Sequence, residues 1–415
     1  MVIVFGLGFV GLTTALGFAE HGLLVYGFDE NQELIRQLEA GVYRGSEPHI
    51  GRMLSKHVNR NLILSADLTD AIQNSDYIFL CVGTPCADDG SADLRAVVNC
   101  VNSIKRVTSK SDNSRCIIIK STVPPGTADL ISKNYFANSD DFYVVSNPEF
   151  LREGHCWDDF INPGRIVVGT ISTKAREMMG LLYKSFTSPV RYTTPSSAEF
   201  IKYLSNSLLA TMISFSNEMA HIAEQFGSID VRQAFTILHE DQRLKGSGIA
   251  SYVYPGCGYG GYCLPKDVQA IISASERAGF FPSLLDATNQ TNHNVSAWWA
   301  RKIMDSTPQN GTVGFLGLSF KPESDDVRES PAGKIMVYLQ QRNDIRLAAY
   351  DPIAINNFSR TYVELPVTYF WTANELISNS DIIFISTAWN EFLTLDYKNK
   401  RVIDGRHCLY TEGLS

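Results

Sequence analysis

The chain opens on Val2, Ile3, Val4 and Phe5, four apolar residues in succession, and similar runs recur at 23–28, 77–82, 116–121 and 143–146 with helical stretches between them. Alternation of apolar and polar residues marks a strand with one wet face. A continuous apolar run marks a strand covered on both faces, as in a parallel sheet. The pattern therefore predicts a doubly wound sheet over residues 1–195, with a first helix at 12–20. Residues 196–226 contain neither Gly nor Pro, and Phe200, Ile201, Leu204, Leu208, Leu209, Met212 and Phe215 recur near helical spacing. They predict one long helix, with Ser197, Ala198 and Glu199 suited to its start and Gly227 to its stop. A helix of this length commonly buries its apolar face against a second domain or subunit. Further apolar runs at 313–320, at 345–350 ahead of Asp351 and Pro352, at 381–386 and at 401–404 alternate with helical stretches such as 331–341. They predict a second, smaller sheet of the same kind. The expected fold class is α/β: two Rossmann-like doubly wound domains joined by a long central helix, divided as 1–195, 196–300 and 301–415.

Composition narrows the function. At 415 residues, 44% hydrophobic and 19% charged, the chain is long enough for two or three packed domains. A net charge of -8 argues against sequence-independent nucleic-acid binding, which needs clustered cations to displace phosphate counterions. A small-molecule partner is expected. Met1 runs straight into the first strand with no basic leader, and the longest apolar runs are too short to span a bilayer, so a cytoplasmic protein with no membrane partner is expected. The eight cysteines (81, 86, 100, 116, 156, 257, 263, 408) form neither a dense disulfide pattern nor a CxxC pair for zinc. Most are expected to be reduced and buried, and no metal is implied.

Immediately after the first strand come Gly6, Leu7, Gly8, Phe9, Val10 and Gly11. Gly6 suits a tight turn, Gly8 lets backbone approach a pyrophosphate, and Gly11 lets the following helix pack on the sheet. Asp29 ends the second strand, where a carboxylate can accept from a ribose 2′-hydroxyl. Glu30 and Asn31 follow it, with no cation for a 2′-phosphate, so NAD is favoured over NADP. Two other strand ends run into loops, 81–85 and 120–127; hydroxyls at Thr84, Ser121 and Thr122 stand where an open α/β sheet takes its ligand. Taken singly, each of these is as readily a cap or a turn residue. On the long helix Lys202 and Asn206 are four apart and share a face.

Five stretches, in order along nearly the whole chain, resemble the UDP-glucose/GDP-mannose dehydrogenase family. They are 5–12 with its glycines, 121–127 (Ser121-Thr122-Val123-Pro124-Pro125-Gly126-Thr127), 147–154 (Asn147-Pro148-Glu149-Phe150-Leu151-Arg152-Glu153-Gly154), 259–267 (Tyr259-Gly260-Gly261-Tyr262-Cys263-Leu264-Pro265-Lys266-Asp267), and 317–321 leading to 326–331. The resemblance implies a four-electron oxidation of a nucleotide sugar at C6, from alcohol to acid, with NAD used twice. It implies Cys263 as the nucleophile of a thiohemiacetal and thioester, Lys202 and Asn206 as stabilisers of oxygen charge, Asp267 beside them, and a water held by Thr122 and Glu149. It implies Gly6, Gly8, Phe9, Val10, Gly11, Asp29, Thr84, Ser121, Thr122, Glu153, Lys266 and Arg328 on the cofactor side. Toward the substrate it implies Glu149, Phe150, Leu151, Arg152, Glu153, Lys202, Asn206, Arg243, Tyr259, Gly260, Phe320, Lys321 and Arg406. The glycines ahead of Cys263 read as a loop where backbone approaches the sugar. Cys257, six residues before Cys263, reads as a turn or packing residue.

Arg165 after Asn162-Pro163-Gly164, and Asp404-Gly405-Arg406, lean toward the UDP-glucose branch; GDP-mannose and UDP-N-acetylhexosamine remain the alternatives within the family. Residues 241–257 form a longer segment than UDP-glucose members usually carry, and Arg243 within it resembles an Arg supplied to the partner subunit's substrate. A homodimer or higher homo-oligomer is expected. A non-enzymatic nucleotide-sugar sensor is disfavoured, because it has no need of the thiol.

Overall fold

The computed structural model describes residues 1–64, 67–107, 114–137, 139, 141–397 and 399–409. The chain divides into two compact units, Met1–Leu204 and Ser205–Ser415.

In the first unit eight strands form one sheet: β1 Val2–Phe5, β2 Val25–Phe28, β3 Leu62–Ile63, β4 Tyr77–Leu80, β5 Arg115–Ile119, β6 Phe142–Ser146, β7 Ile166–Gly169 and β8 Val190–Thr193, in the order β3-β2-β1-β4-β5-β6-β7-β8. Neighbours run parallel except β6 and β7, which meet antiparallel at Ser146 and Gly169. Both faces are covered, and the side chains sort by the strand period of two. Val2, Val4, Phe79, Cys116 and Ile118 join the core that holds the helix Phe9–Glu20. Ile3, Phe5, Ile78, Leu80, Ile117 and Ile119 face the opposite core with Val97, Val101 and Ile104. Chain order reverses at β1, between β2 and β4, so the crevice beyond the carboxyl ends of these strands is where such a sheet accepts a ligand.

The second unit holds five parallel strands, β9 Thr312–Leu316, β10 Arg346–Tyr350, β11 Val367–Tyr369, β12 Ile382–Ile385 and β13 Arg401–Asp404, ordered β11-β10-β9-β12-β13. Val313, Phe315, Ile382 and Phe384 enter one core and Leu316, Ile383 and Ile385 the other. The long helix Pro195–Phe226 starts in the first unit and continues in the second, followed by the helices Cys263–Arg277 and Ser283–Ser306. Gly227, at φ +70°, ends it as expected.

The buried strands and the long helix fall where the pattern puts them, within about two residues for most ends. Three strands carry no such signal: β3 is two residues long, β8 is exposed or half-exposed throughout, and β11 is exposed or half-exposed. β7 is an apolar run buried throughout that the sequence analysis does not single out as a strand. The cysteines correct the sequence reading in part: all eight are free thiols, but only Cys81, Cys116, Cys156 and Cys257 are buried, and Cys86 is exposed.

Candidate active site

The first glycine turn closes by backbone geometry that only glycine allows. Gly6 sits at φ +84°, and a Cβ at Gly11 would lie 1.7 Å from the carbonyl oxygen of Gly6. Nothing lies within 4 Å of a Cβ placed on Gly8, which is exposed and precedes the helix Phe9–Glu20 with no side-chain cap. Backbone N–H groups at this helix start are left for an anion, as a pyrophosphate requires. Phe9 and Val10 turn inward and pack on the core. Asp29 accepts the N–H of Leu7 at 2.7 Å through Oδ2 and that of Asn31 at 2.9 Å through Oδ1. Two donors occupy two of roughly four lone-pair positions on a carboxylate, so ribose hydroxyls still find acceptors there. These residues fit NAD.

The second sheet repeats this plan and closes it. Gly317, at φ +95°, ends β9 as Gly6 ends β1, and Asp351 ends β10 as Asp29 ends β2. Asp351 is only 1% exposed. Its oxygens take the N–H groups of Leu318, Ser319, Ile353 and Ala354, the Ser319 hydroxyl and the Trp389 indole N–H. Six donors saturate the carboxylate, and no ribose can share it.

The other strand-end hydroxyls are spent on backbone. Thr84 Oγ donates to the carbonyl of Thr122 at 2.8 Å, and Ser121 Oγ bonds the carbonyls of Leu80 and Val82. The hydroxyl of Thr122 makes no such bond among the described residues. Just beyond it, the N–H groups of Gly126 and Ala128 both go to the carboxylate of Glu199, which also accepts from Ser146 Oγ. Burial pushes the Glu199 pKa up to about 7, against the pull of these donors.

Glu149 lies three residues past β6 and is 6% exposed. Lys202, equally buried on the long helix, donates to it at 2.8 Å, and the Leu151 N–H donates to its other oxygen at 2.6 Å. Burial alone would raise this carboxyl; the charge and hydrogen bond of Lys202, the Leu151 N–H and the charge of Lys120 outweigh it and hold the pKa below the ordinary value. Lys120, Asn147, Glu149, Phe150, Arg165 and Tyr183 line a cavity of about 140 Å³. Within it Phe150 has the Arg165 guanidinium 4.2 Å and the Lys202 ammonium 5.6 Å from its ring centroid. Arg152 is gripped by Asp159 through both its backbone N–H and its guanidinium, and Glu153 lies half-buried beside it.

In the second unit Cys263 is the first residue of the helix Cys263–Arg277, partly exposed, with Lys266 one turn on. The helix dipole and that ammonium both favour negative charge at the sulfur. Asp267, 1% exposed, accepts Lys266 Nζ at 2.5 Å and Asn206 Nδ2 at 2.6 Å. Burial pushes the Lys266 pKa down and Asp267 more than restores it, so the ammonium stays charged. The Tyr262 ring carries Lys266 Nζ 5.2 Å and the Arg328 guanidinium 4.4 Å from its centroid, while Arg328 also holds Asp326.

The glycine run has a different reason from the one its sequence suggests. A Cβ at Gly258 would stand 2.6 Å from Asn292 Oδ1, at Gly260 2.3 Å from the Glu329 carbonyl, and at Gly261 3.0 Å from the Phe320 ring. Protein fills the positions where those Cβ atoms would stand. Asn292 also ties Tyr259 at both its N–H and its carbonyl. Lys321 Nζ lies 5.8 Å from the Phe320 centroid. Arg406 lies against Gly256, its buried Nε without a partner among the described residues. Cys257 donates to the carbonyl of Gly405 at 3.2 Å, and burial pushes its thiol up to about 12, a packing role. Arg243 is exposed and paired with Asp241 within its own turn.

Family models decide what these residues belong to. Residues 1–187 match the NAD-binding domain of the UDP-glucose/GDP-mannose dehydrogenase family, 196–294 its central domain and 314–411 its UDP-binding domain. The chain belongs to this family. A UDP-glucose 6-dehydrogenase of Bacillus subtilis is 35% identical to this dehydrogenase over 424 residues, 99% of this chain and 90% of that protein. The solved UDP-glucose dehydrogenase of the archaeon Pyrobaculum islandicum superposes with a TM-score of 0.91 at 35% identity, covering 98% of this chain and 94% of the other. The UDP-D-ManNAc dehydrogenase of Pyrococcus horikoshii follows at 0.84 and 26%, covering 99% and 96%. NAD is the family's cofactor, held by the first of its domains.

Sequence reasoning gave no site role to Lys120, Glu199 or Asn292, and took Glu199 only as part of a helix start. Lys120, at the end of an apolar strand, and Glu199, between Ala198 and Phe200, carry the one usable signal: a charge set in an apolar run is costly unless paired.

Proposed function

We propose that this dehydrogenase oxidises UDP-glucose at C6 to UDP-glucuronate, with residues 1–195 binding NAD, 196–300 forming the central region and 301–415 binding the UDP sugar. NAD, when bound, accepts a hydride in each of the two oxidations. The C6 hydroxyl first loses its proton to the water held by Thr122 and Glu149 while C6 gives up a hydride, and the alcohol becomes an aldehyde. The Cys263 thiolate then adds to the aldehyde carbon. A C–S bond forms, and the carbonyl oxygen becomes the thiohemiacetal oxygen, its charge met by Lys202 and Asn206. Loss of a further hydride from this charged thiohemiacetal leaves a thioester. Water attacks it, the C–S bond breaks, and the carboxylic acid leaves with the thiol regenerated. Phe150, Leu151, Arg152, Glu153, Tyr259, Gly260, Phe320, Lys321 and Arg406 line the substrate in this reading, and Arg328, Glu153 and Lys266 the cofactor.

The observation that carries the reading is the setting of Cys263. Cys156 also opens a helix, but it is fully buried and its thiol is pushed up by that burial. Cys263 is partly exposed, with a paired cation one turn away. With UDP-glucose and excess NAD, two NADH per sugar are expected; absence of turnover across a panel of UDP-glucose, GDP-mannose and UDP-N-acetylhexosamines would refute the enzyme, and turnover of only another sugar would move the substrate.

A homodimer is part of the proposal. Phe200, Leu204, Leu208, Phe215, Met219 and Ile222, spaced by three, four or seven residues along the long helix, are 41–55% exposed. Such a stripe of apolar side chains on one helix is what a second copy would cover. Light scattering is expected to give twice the 46.1 kDa chain mass, and Phe215→Glu to shift the mass toward one chain; a wild-type monomer contradicts the dimer. A cytoplasmic location is part of the proposal; among the described residues no helix is long and apolar enough to cross a membrane.

A further inference from the structure

Glu199 has no part in the chemistry above, yet its carboxylate is one of the most committed groups in the first unit. It is 3% exposed and stands at the start of the second turn of the long helix. Oε2 accepts the Gly126 N–H at 2.6 Å, and Oε1 accepts the Ala128 N–H and the Ser146 hydroxyl, each at 2.9 Å. The two N–H groups belong to the start of the helix Thr127–Tyr135, whose N-cap, Gly126, has no side chain to serve them. Glu199 therefore caps that helix from another element.

Each bond leads to a group with a proposed role. Gly126 ends the loop that begins with Thr122, whose carbonyl is held at the other side by Thr84. Ser146 ends β6, and Glu149 follows it by three residues. Three residues beyond Glu199, nearly one helical turn, Lys202 bonds Glu149 at 2.8 Å. The long helix and the end of β6 are thus joined by two rungs, and Glu199 adds a third tie to the Thr122 loop. Close approach is built in, since a Cβ on Gly169 would stand 2.6 Å from the Ala198 Cβ and 2.8 Å from the Pro195 Cα.

We propose that Glu199 is a positioning residue: its carboxylate fixes the Thr122 loop and the end of β6 to the helix turn that carries Lys202, and so sets Thr122, Glu149 and Lys202 relative to one another. This rests on the reading of Thr122 and Glu149 as the holders of the proton-accepting water and of Lys202 as the cation that meets charge at C6. Displacement of a reacting group by about 1 Å can cost on the order of a hundredfold in rate without touching substrate binding.

Glu199→Gln keeps the shape but replaces one acceptor oxygen by an NH2 group, which must face an N–H or hydroxyl donor. With the full-length enzyme, kcat is expected to fall by about 10- to 100-fold, while KM for NAD and for the nucleotide sugar stays within about threefold. A kcat equal to wild type, or a loss fully accounted for by the folded fraction, overturns the proposal. If this variant does not fold, Ser146→Ala decides, since it removes one bond of the three. It should lower kcat several-fold at unchanged KM, and an unchanged kcat overturns the idea. Wild type assayed beside them separates the two readings: if it turns over no nucleotide sugar the proposed function fails, whereas active wild type with equally active variants removes only the role of Glu199.

Discussion

Cys263→Ser is expected to lower the rate of complete oxidation by about a thousandfold or more, because a serine hydroxyl at this position is neither ionised nor a good leaving group. The helix start and Lys266 stabilise a thiolate readily, but they act too weakly to ionise an alcohol near neutral pH. The geometry should survive the exchange of one atom. A rapid-quench experiment with UDP-glucose and NAD should show the second NADH and the acid lost together, with any product limited to the aldehyde level or its hydrate. Wild-type release of two NADH per sugar by this variant would remove Cys263 from the mechanism. In wild type, denaturing mass spectrometry of quenched enzyme is the companion observation, with a covalent adduct on the peptide that carries Cys263.

The second large effect is expected at Lys202. Lys202→Met leaves Glu149 buried, hydrogen-bonded among the described residues only by the Leu151 N–H, and near the charge of Lys120, whose Nζ bonds Asn147 instead. Breaking a buried ion pair at one end costs about 3–5 kcal/mol, and the same change removes the cation proposed to meet charge at C6. Turnover should fall by at least two orders of magnitude. The pH dependence of stability gives an independent readout. In wild type the Glu149 pKa lies below its ordinary value of 4.5, so its contribution is present above about pH 4.5 and disappears as pH falls through the folded value. In the variant burial dominates and raises the pKa, so the cost grows as pH rises past 4.5. Melting curves at pH 4.5, 6 and 8 should therefore show a gap between wild type and variant that widens with pH. A gap of constant size would mean that Lys202 is not what holds Glu149 ionised.

Much of the first unit was legible because its signals are local. Four apolar residues, then Gly6, Gly8 and Gly11, then Asp29 at the next strand end, describe backbone torsions and spacings that hardly depend on the rest of the chain. Cys263 and the polar positions of the long helix were reached through motif resemblance rather than pattern, since a lone Cys, Lys or Asn has no periodic signature. Of the strands that escaped notice, β3, β8 and β11 are short or open to solvent, and edge strands need no apolar run. The glycines before Cys263 were legible as a constraint but not as to its cause: the atoms that exclude a Cβ come from Asn292, Phe320 and Glu329, 34 to 69 residues away.

By itself the sequence determined two doubly wound sheets, the long helix between Pro195 and Gly227 and the dinucleotide turn, because strand and helix periods, glycine torsions and residue spacing are properties of neighbours in the chain. Tertiary structure alone decided which buried charges meet: Glu149 with Lys202, Asp267 with both Lys266 and Asn206, Glu199 with Gly126, Ala128 and Ser146. It also separated two aspartates that look alike in the chain. Asp29 and Asp351 each end the second strand of their sheet, yet one meets two donors and the other six. A carboxylate's capacity for a ligand depends on how many lone pairs its folded neighbours leave open, and that number exists only once distant segments have packed together.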